Sequence, residues 1–200
     1  MAFLDGIKVI SLEQAVAAPA CSMRLVQAGA EVIKIERPEG DFARGYDAAV
    51  AGKSSYFVWL NAGKKSVVLD LQQDEQVEIL RQLISQSDVF IQNLKPGALA
   101  KLGVELDTLH QQHSKLISMS ISGFAVDGPG HSRKAYDLLM QAESGLSSIT
   151  GSPHAAGRVG VSLVDIATGQ FAYEAILGAL IQRGQSGQGA KLNVSLLARQ

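Results

Sequence analysis

Short apolar runs of strand character recur along this chain, each separated from the next by a stretch with helical spacing or helix punctuation. The runs are Ile7 to Leu12, Glu31 to Ile35 (EVIKI), Ser66 to Leu71 (SVVLDL), Asp88 to Gln92 (DVFIQ) and Leu116 to Ser122. After the first run, Pro19 opens a helix over Ala20 to Ala28 and Gly29 ends it. Proline suits a first helical turn, and glycine suits the position past a C-terminus. Asp74 to Gln86 carries Val77, Leu80, Leu83 and Ile84 on one stripe, the mark of a helix with one face in a core. Pro96-Gly97 turns the chain into a short helix, and Leu106 to His113 forms another. Crossovers of this length between strands suit parallel pairing, because a parallel neighbour needs a connection long enough to hold a helix. The pattern predicts an α/β domain with an open, mostly parallel, Rossmann-like sheet and helices on both faces.

Two stretches break the rhythm. Residues 37 to 55 read as a long loop punctuated by Pro38, Gly40, Gly45 and Gly52, and a loop of that length is usually functional. Gly123 to Arg133 is polar and glycine-rich, and Gly151 to Gly160 is also loop. Between them, Asp137 to Ser148 reads as one helix with Leu138, Leu139, Ala142 and Leu146 inward. Asp165 starts a helix that runs to about Arg183 and is apolar on most sides, so it must be covered by the domain or by a partner. Gly184 to Gly189 is a turn, and Lys191 to Leu197 is a last strand.

Composition narrows the function. Lys+Arg 18 against Asp+Glu 19 gives a formal charge of -1, without the basic surplus of a nucleic-acid binder. Cys21 is the sole cysteine, so one chain offers no disulfide framework and no cysteine-based zinc site. No basic segment followed by an apolar run opens the chain, and no run approaches the ~18 apolar residues of a membrane span. The default expectation is a cytoplasmic protein working on small molecules, with no nucleic acid, membrane or metal partner. A charged fraction of 18%, below the usual ~25%, suggests that part of the surface is covered by something else.

Nucleotide motifs fail. The turn after the first strand, Leu12 to Pro19, has no glycine where a dinucleotide fingerprint needs three. Gly52-Lys53-Ser54 resembles the tail of a phosphate loop, but Asp47 stands where the first glycine belongs. His110 and His113 share a helix face without a third ligand nearby in sequence, which favours a solvated helix end. Cys21, within the first helix, reads as a small core residue rather than a reactive thiol.

What remains is polar chemistry at strand ends, where open α/β sheets bind ligands. Gln14, Arg37, Asp70, Asn93 and Ser122 fall there. Arg37 has two readings, a phosphate ligand or a surface arginine paired with Glu36 or Glu39. Asp165 also has two. An acid at a helix start can be a cap, and a carboxylate can also be a nucleophile that carries an acyl group.

A set of stretches resembles the N-terminal half of class III (CaiB/BaiF-type) CoA-transferases, over essentially all 200 residues. They are Val9 to Glu13 with Ala17-Ala18-Pro19, then Gly29 to Pro38 (GAEVIKIERP) with Gly40-Asp41 and Arg44, then Asn61 to Asp70 and Asp88 to Gly97. Tyr136-Asp137, Gln141-Ala142, Ser144-Gly145, Asp165 and Gly169 complete the series. Ser11 to Asp47 looks closest to mesaconyl-CoA and related C4–C5 dicarboxyl-CoA transferases. The resemblance implies that Asp165 attacks the thioester of an acyl-CoA, giving an acyl-aspartyl anhydride and free CoA thiolate. It implies that Arg37 and Lys101 or Lys134 meet CoA phosphates. Val16, Ala17, Leu69, Asn93, Leu94 and Ala98 would line the adenosine and pantetheine path, mostly through backbone contacts. Tyr46 falls where the family tunes its acyl group, and Tyr136 falls in the substrate site.

Coenzyme A thioesters enter this reading as substrates, with no permanent cofactor. The other substrate is a carboxylic acid, and the assembly is a homodimer of interlocked subunits. Where oxalate-type members often carry glutamine, this chain has Val16, which argues against an oxalate-like acyl group. The same fold hosts 2-methylacyl-CoA racemases, whose proton-transferring histidine is replaced here by Tyr136. Family members carry a further half of comparable length, so residues 1–200 are expected to be the CoA-binding domain, with 184–200 leading onward. A non-catalytic CoA-binding module is therefore a third reading.

Overall fold

The computed structural model describes residues 2–128 and 130–197. The elements in chain order are β1 (Lys8–Leu12), α1 (Ala17–Gln27), β2 (Glu31–Glu36), α2 (Ser55–Asn61), β3 (Lys65–Val68), α3 (Asp74–Ser85) and β4 (Val89–Gln92). They continue with α4 (Ala98–Lys101), α5 (Leu106–Gln112), β5 (Ile117–Phe124), α6 (Asp137–Glu143), α7 (Leu146–Thr150), α8 (Leu163–Ser186) and β6 (Ala190–Leu197). The six strands form one all-parallel sheet in the order β3-β2-β1-β4-β5-β6. This is a doubly wound order, and its direction of travel reverses between β1 and β4. Residues 198–200, the end of the expected onward segment, lie outside the described residues.

The central strands are apolar on both sides because both sides are covered. Val9, Val32 and Val89 lie in register on one face and pack with Cys21 and Leu25 of α1 and with Ala172 and Ile176 of α8. Ile10, Ile35 and Phe90 face the other way, onto Val77, Leu80 and Ile84 of α3, Leu99 of α4 and Leu109 of α5. Leu60 of α2 joins Val16, Ala20 and Met23 on the α1 side.

The layers carry an unusual consequence. The steps β1 to β2 and β2 to β3 move toward the β3 edge with their helices on the α1 side. The steps β3 to β4 and β4 to β5 move toward the β6 edge with their helices on the opposite side. These four crossovers share one hand. The last, β5 to β6, moves toward the β6 edge while α8 lies on the α1 side, so its hand is the reverse. About 98% of such crossovers are right-handed. Residues 125–162 provide the length that carries the chain around to the other layer. The result sets α8 beside α1, and Arg183, near the C-terminus of α8, ties down to Asp88 at 3.0 Å beneath the opposite edge of the sheet. The N-termini of both helices therefore open on the edge where the strands end.

Several expectations need correction. The stretch read as loop over 37–55 contains a 3₁₀ turn, Phe42–Gly45, and leads straight into α2. That helix was hidden because SYFVWLN has no helical stripe, and its start is marked only by Ser54, whose Oγ accepts the Phe57 amide at 3.3 Å. The single helix over 137–148 is two, because Gly145 takes a left-handed conformation at φ 78. Met140 and Gln141 face inward there, while Leu138, Leu139 and Ala142 are exposed. His110 is not a solvated helix end, since its Nε2 lies 2.9 Å from Ser118 Oγ. Cys21 is fully buried, and burial raises its thiol pKa far above the ordinary value, as suits a core residue. α8 is long and apolar enough on average to cross a bilayer by length and composition. Here one of its faces, Gly169, Ala172 and Ile176, is buried on α1 and the sheet.

Candidate active site

The switch point between β1 and β4 is closed by a side chain. Asn93, just past β4, accepts the Gln14 amide at 3.0 Å and donates to the Gln14 carbonyl at 2.8 Å. Beside it, a cavity of about 400 Å³ opens at the C-terminal ends of β1, β2 and β3. Of the residues expected to meet CoA, Arg37, Leu69 and Leu94 line this cavity, together with Glu39, Gly40 and Asp70. The Arg37 side chain is 59% exposed, donates Nε to the Gly40 carbonyl at 3.0 Å and sits 3.7 Å from Glu39. Glu36 is not its partner. Burial alone would raise the Glu36 carboxyl, but hydrogen bonds from Arg44, Ser66 and the Asp41 amide outweigh that and bring it to about 2.

Val16 and Ala17 are buried at the start of α1, next to the switch-point turn. Ala98 and Lys101 bound the short helix α4, and neither lines the cavity, although Leu102 does. Lys134 is exposed in the connection before α6, apart from the cavity-lining residues.

Asp165 lies in the first turn of α8. Gly169, one turn later on the same face, packs so tightly on α1 that a Cβ there would stand 2.6 Å from the Ala17 carbonyl oxygen. With a rise of about 1.5 Å per residue, Asp165 overhangs the first turn of α1 by about 6 Å. The capping reading of this aspartate fails on geometry. The Val164 and Asp165 amides both donate to Asp137 Oδ1, at 2.8 and 3.1 Å, so a carboxylate from α6 caps α8. Gln141 holds the other oxygen, Oδ2, at 2.6 Å. Among the described residues, the Asp165 side chain has no hydrogen-bond partner of its own. A capping carboxylate has a lowered pKa, because the amides favour its charge. Asp165 goes the other way: burial, with the Asp137 charge beside it, raises it to about 7.

Aromatic residues wall this corner. Tyr46 stacks edge-on against Phe42 at 5.9 Å and Tyr56 at 6.2 Å, and the Tyr56 hydroxyl accepts the Ser162 amide at 3.2 Å just before α8. Burial raises the Tyr46 phenol to about 12, with the charges of Asp41 and Asp165 and neighbouring Tyr136 adding to it. Tyr46 thus lies within electrostatic reach of both Asp165 and Tyr136. Neither Tyr56 as a partner of the α8 start nor Asp137 as its cap has a local signal in the sequence.

A buried ionic cluster was also missed. Glu13 accepts Lys64 Nζ at 2.7 Å, lies 3.8 Å from Lys34, and accepts hydrogen bonds from Ser22 Oγ at 2.7 Å and from Ser11. Lys34 pairs with Asp41 at 2.7 Å. Burial alone would raise the Glu13 carboxyl, but Lys64 and Lys34 hold it below the ordinary carboxylate value. The one available signal was Lys34 itself, an internal charge in a strand whose neighbours are buried on both faces.

Comparison with known proteins agrees with this architecture. The sequence matches CoA-transferase family III over residues 4–200. The chain belongs to that family. It is 36% identical over 200 residues to the human succinyl-CoA:glutarate CoA-transferase, covering 98% of this chain and 46% of that protein. It is 37% identical over 195 residues to the acetyl-CoA:oxalate CoA-transferase of Acetobacter aceti, covering 96% and 50%. A crystal structure of a CAIB/BAIF family protein from Brucella suis superimposes with a TM-score of 0.91 at 36% identity, covering 96% of this chain and 52% of that one. The chain spans about half the length of the curated relatives it matches.

Proposed function

We propose that this family III chain supplies the CoA-binding sheet and the nucleophile of a CoA-transferase, and that its acids are C4–C5 dicarboxylates, mesaconate among them. The observation that carries the reading is Asp165. Its carboxyl is relieved of capping by Asp137, is raised by burial to about 7, and stands one helical turn beyond the tight contact of Gly169 with the first turn of α1. A carboxylate of raised basicity is a better nucleophile toward a thioester.

The chemistry then runs in four exchanges. The Asp165 carboxylate attacks the acyl-CoA carbonyl, and CoA thiolate leaves an acyl-aspartyl anhydride. Thiolate returns to the aspartyl carbonyl and expels the donor acid, leaving an aspartyl-CoA thioester. The acceptor carboxylate attacks that carbonyl, forms a new anhydride and releases thiolate again. Thiolate finally attacks the acceptor's own carbonyl, giving the new acyl-CoA and free Asp165. Each step exchanges one acyl bond for another, so no oxidant, metal or external proton is required.

The cavity beside Arg37, Leu69 and Leu94 suits the adenosine end of CoA, with an Arg37 guanidinium exposed for a phosphate. Relatives named for succinyl-CoA and glutarate support four- and five-carbon diacids, and Val16 in place of glutamine weighs against oxalate. Exposed apolar residues Leu163, Phe171 and Ile181 on α8 support an assembly with further protein, a homodimer in this reading.

The test is covalent trapping. After incubation with succinyl-CoA, hydroxylamine should leave a hydroxamate on Asp165, located by mass spectrometry, and none in Asp165→Asn. Intact CoA binding without any label would replace this reading with the non-catalytic module.

A further inference from the structure

The turn that joins β1 to α1 has no glycine, yet it adopts the conformation that glycine normally supplies. Ala15 sits at φ 65, in the left-handed region. For a residue with a Cβ this conformation is strained, because the Cβ crowds the following carbonyl. Side chains from three other segments grip the turn. Asn93 takes both backbone polar groups of Gln14, as above. Asp41 Oδ1 accepts the Ala15 amide at 3.2 Å. Lys64 Nζ donates to the Pro19 carbonyl at 3.1 Å while it pairs with Glu13. Asp41 is aimed by its own partners, since its Oδ2 is fixed by Lys34 and its Oδ1 also caps the Ala43 amide at 2.9 Å. Both Lys34 and Asp41 are buried, so neither can swing away into water. Within the cluster, two carboxylates meet two ammonium groups, which is the condition for burying them together.

We propose that Asp41, oriented by the buried Lys34–Glu13–Lys64 cluster, is a positioning residue that holds Ala15 left-handed and so sets the Val16–Ala17 backbone against CoA. This rests on the reading that the switch-point edge binds CoA. Asp41 acts through the turn, not on the ligand.

The test separates the two claims. CoA affinity is measured by titration calorimetry for the wild type, Asp41→Ala, Ala15→Gly and the double variant, alongside amide hydrogen exchange. Asp41→Ala should weaken CoA binding about tenfold and speed exchange at the Ala15 amide, while the Gln14 amide, held by Asn93, keeps its protection. Glycine takes the left-handed conformation without steric cost, so Ala15→Gly should restore most of the lost affinity in the Asp41→Ala background. If glycine restores nothing, or if Asp41→Ala binds as tightly as the wild type, the positioning role is overturned. If the wild type binds no CoA, the functional reading falls, and the exchange data still decide whether Asp41 holds the turn. Asp41→Asn, which keeps the side-chain shape and a carbonyl acceptor, carries the same measurements should the alanine variant fail to fold. Loss of Ala15 protection in it sustains the role of the aimed carboxylate, and full protection with unchanged affinity overturns it.

Discussion

Two pairs of carboxylates lie on either side of the α1 start, and they are treated in opposite ways. Glu13 and Asp41 are buried against Lys34 and Lys64, each carboxylate within 4 Å of an ammonium. Asp137 and Asp165 share the start of α8, and among the described residues neither forms a salt bridge. Asp137 is satisfied by amides and by Gln141, but Asp165 keeps an uncompensated carboxyl. Compensated burial is what a fold uses to fix its loops. Desolvation without a cation beside it costs stability in the charged form and raises basicity, the perturbation that singles out a candidate reactive group. The comparison predicts opposite responses to neutralising each side.

The largest effect falls on Asp165. Asp165→Asn should lower acyl exchange between CoA esters by about 10³-fold or more, as loss of a covalent nucleophile does. The same change should raise stability at neutral pH. With a folded pKa of about 7 against an ordinary 3.8, the folded state binds more protons between those values, so stability falls as pH rises through that window. Melting temperatures should therefore show the asparagine variant above the wild type at pH 8 and level with it near pH 4. Equal pH profiles would break the contrast. Glu36 runs the other way: with a folded value of about 2 against 4.5, its contribution is complete above pH 4.5 and is lost as pH falls toward 2.

Next in size is Glu13→Gln. It strips the shared partner from two buried lysines and should cost about 3–5 kcal/mol in urea unfolding. A cost near zero would mean that the cluster is no more than a surface pair in its energetics.

Sequence made these two regions unequally legible. The strands and α3 followed from apolar runs and spacing, because burial on one or two faces writes itself into spacing, and α1 followed from the punctuation of Pro19 and Gly29. From its own residues Asp165 reads as an acid at the start of an apolar helix, a cap before it is a nucleophile, and only the family resemblance names it as the nucleophile. What removes the capping role is Asp137, 28 residues away, whose carboxylate takes the α8 amides after the last crossover has carried the chain to the α1 layer. No local pattern carries that, and the general handedness rule points to the wrong layer. The ionic cluster was hidden for a similar reason. Glu13 and Lys64 are 51 residues apart, and each reads alone as an ordinary surface charge. α2 was lost because its aromatic, β-branched sequence favours strands, and packing against α1 overrides that preference.

A smaller effect tests the joint between the two regions. Gly169→Ala places a methyl 2.6 Å from the Ala17 carbonyl oxygen and 2.7 Å from Ala20 Cβ, so α1 and α8 must part. Overpacking of this kind costs about 1–3 kcal/mol. Because Asp165 is carried on the same helix face, the exchange rate should fall by more than the lost stability explains when it is measured well below the melting temperature. Parallel losses would mean that the α1–α8 distance matters for folding alone.

The smallest effect, and the cleanest, belongs to Arg37. Its side chain is exposed and meets only the Gly40 carbonyl and Glu39, so Arg37→Ala should change stability by no more than about 0.5 kcal/mol. Any change in CoA affinity is then a property of the ligand contact. A charged hydrogen bond to phosphate contributes about 1.5–3 kcal/mol, so the dissociation constant should rise about tenfold or more. Its dependence on salt should also weaken, because one screened attraction has gone. Affinity and salt dependence that both stay at wild-type values would return Arg37 to the surface pair with Glu39 and move the phosphate toward Lys101 or Lys134.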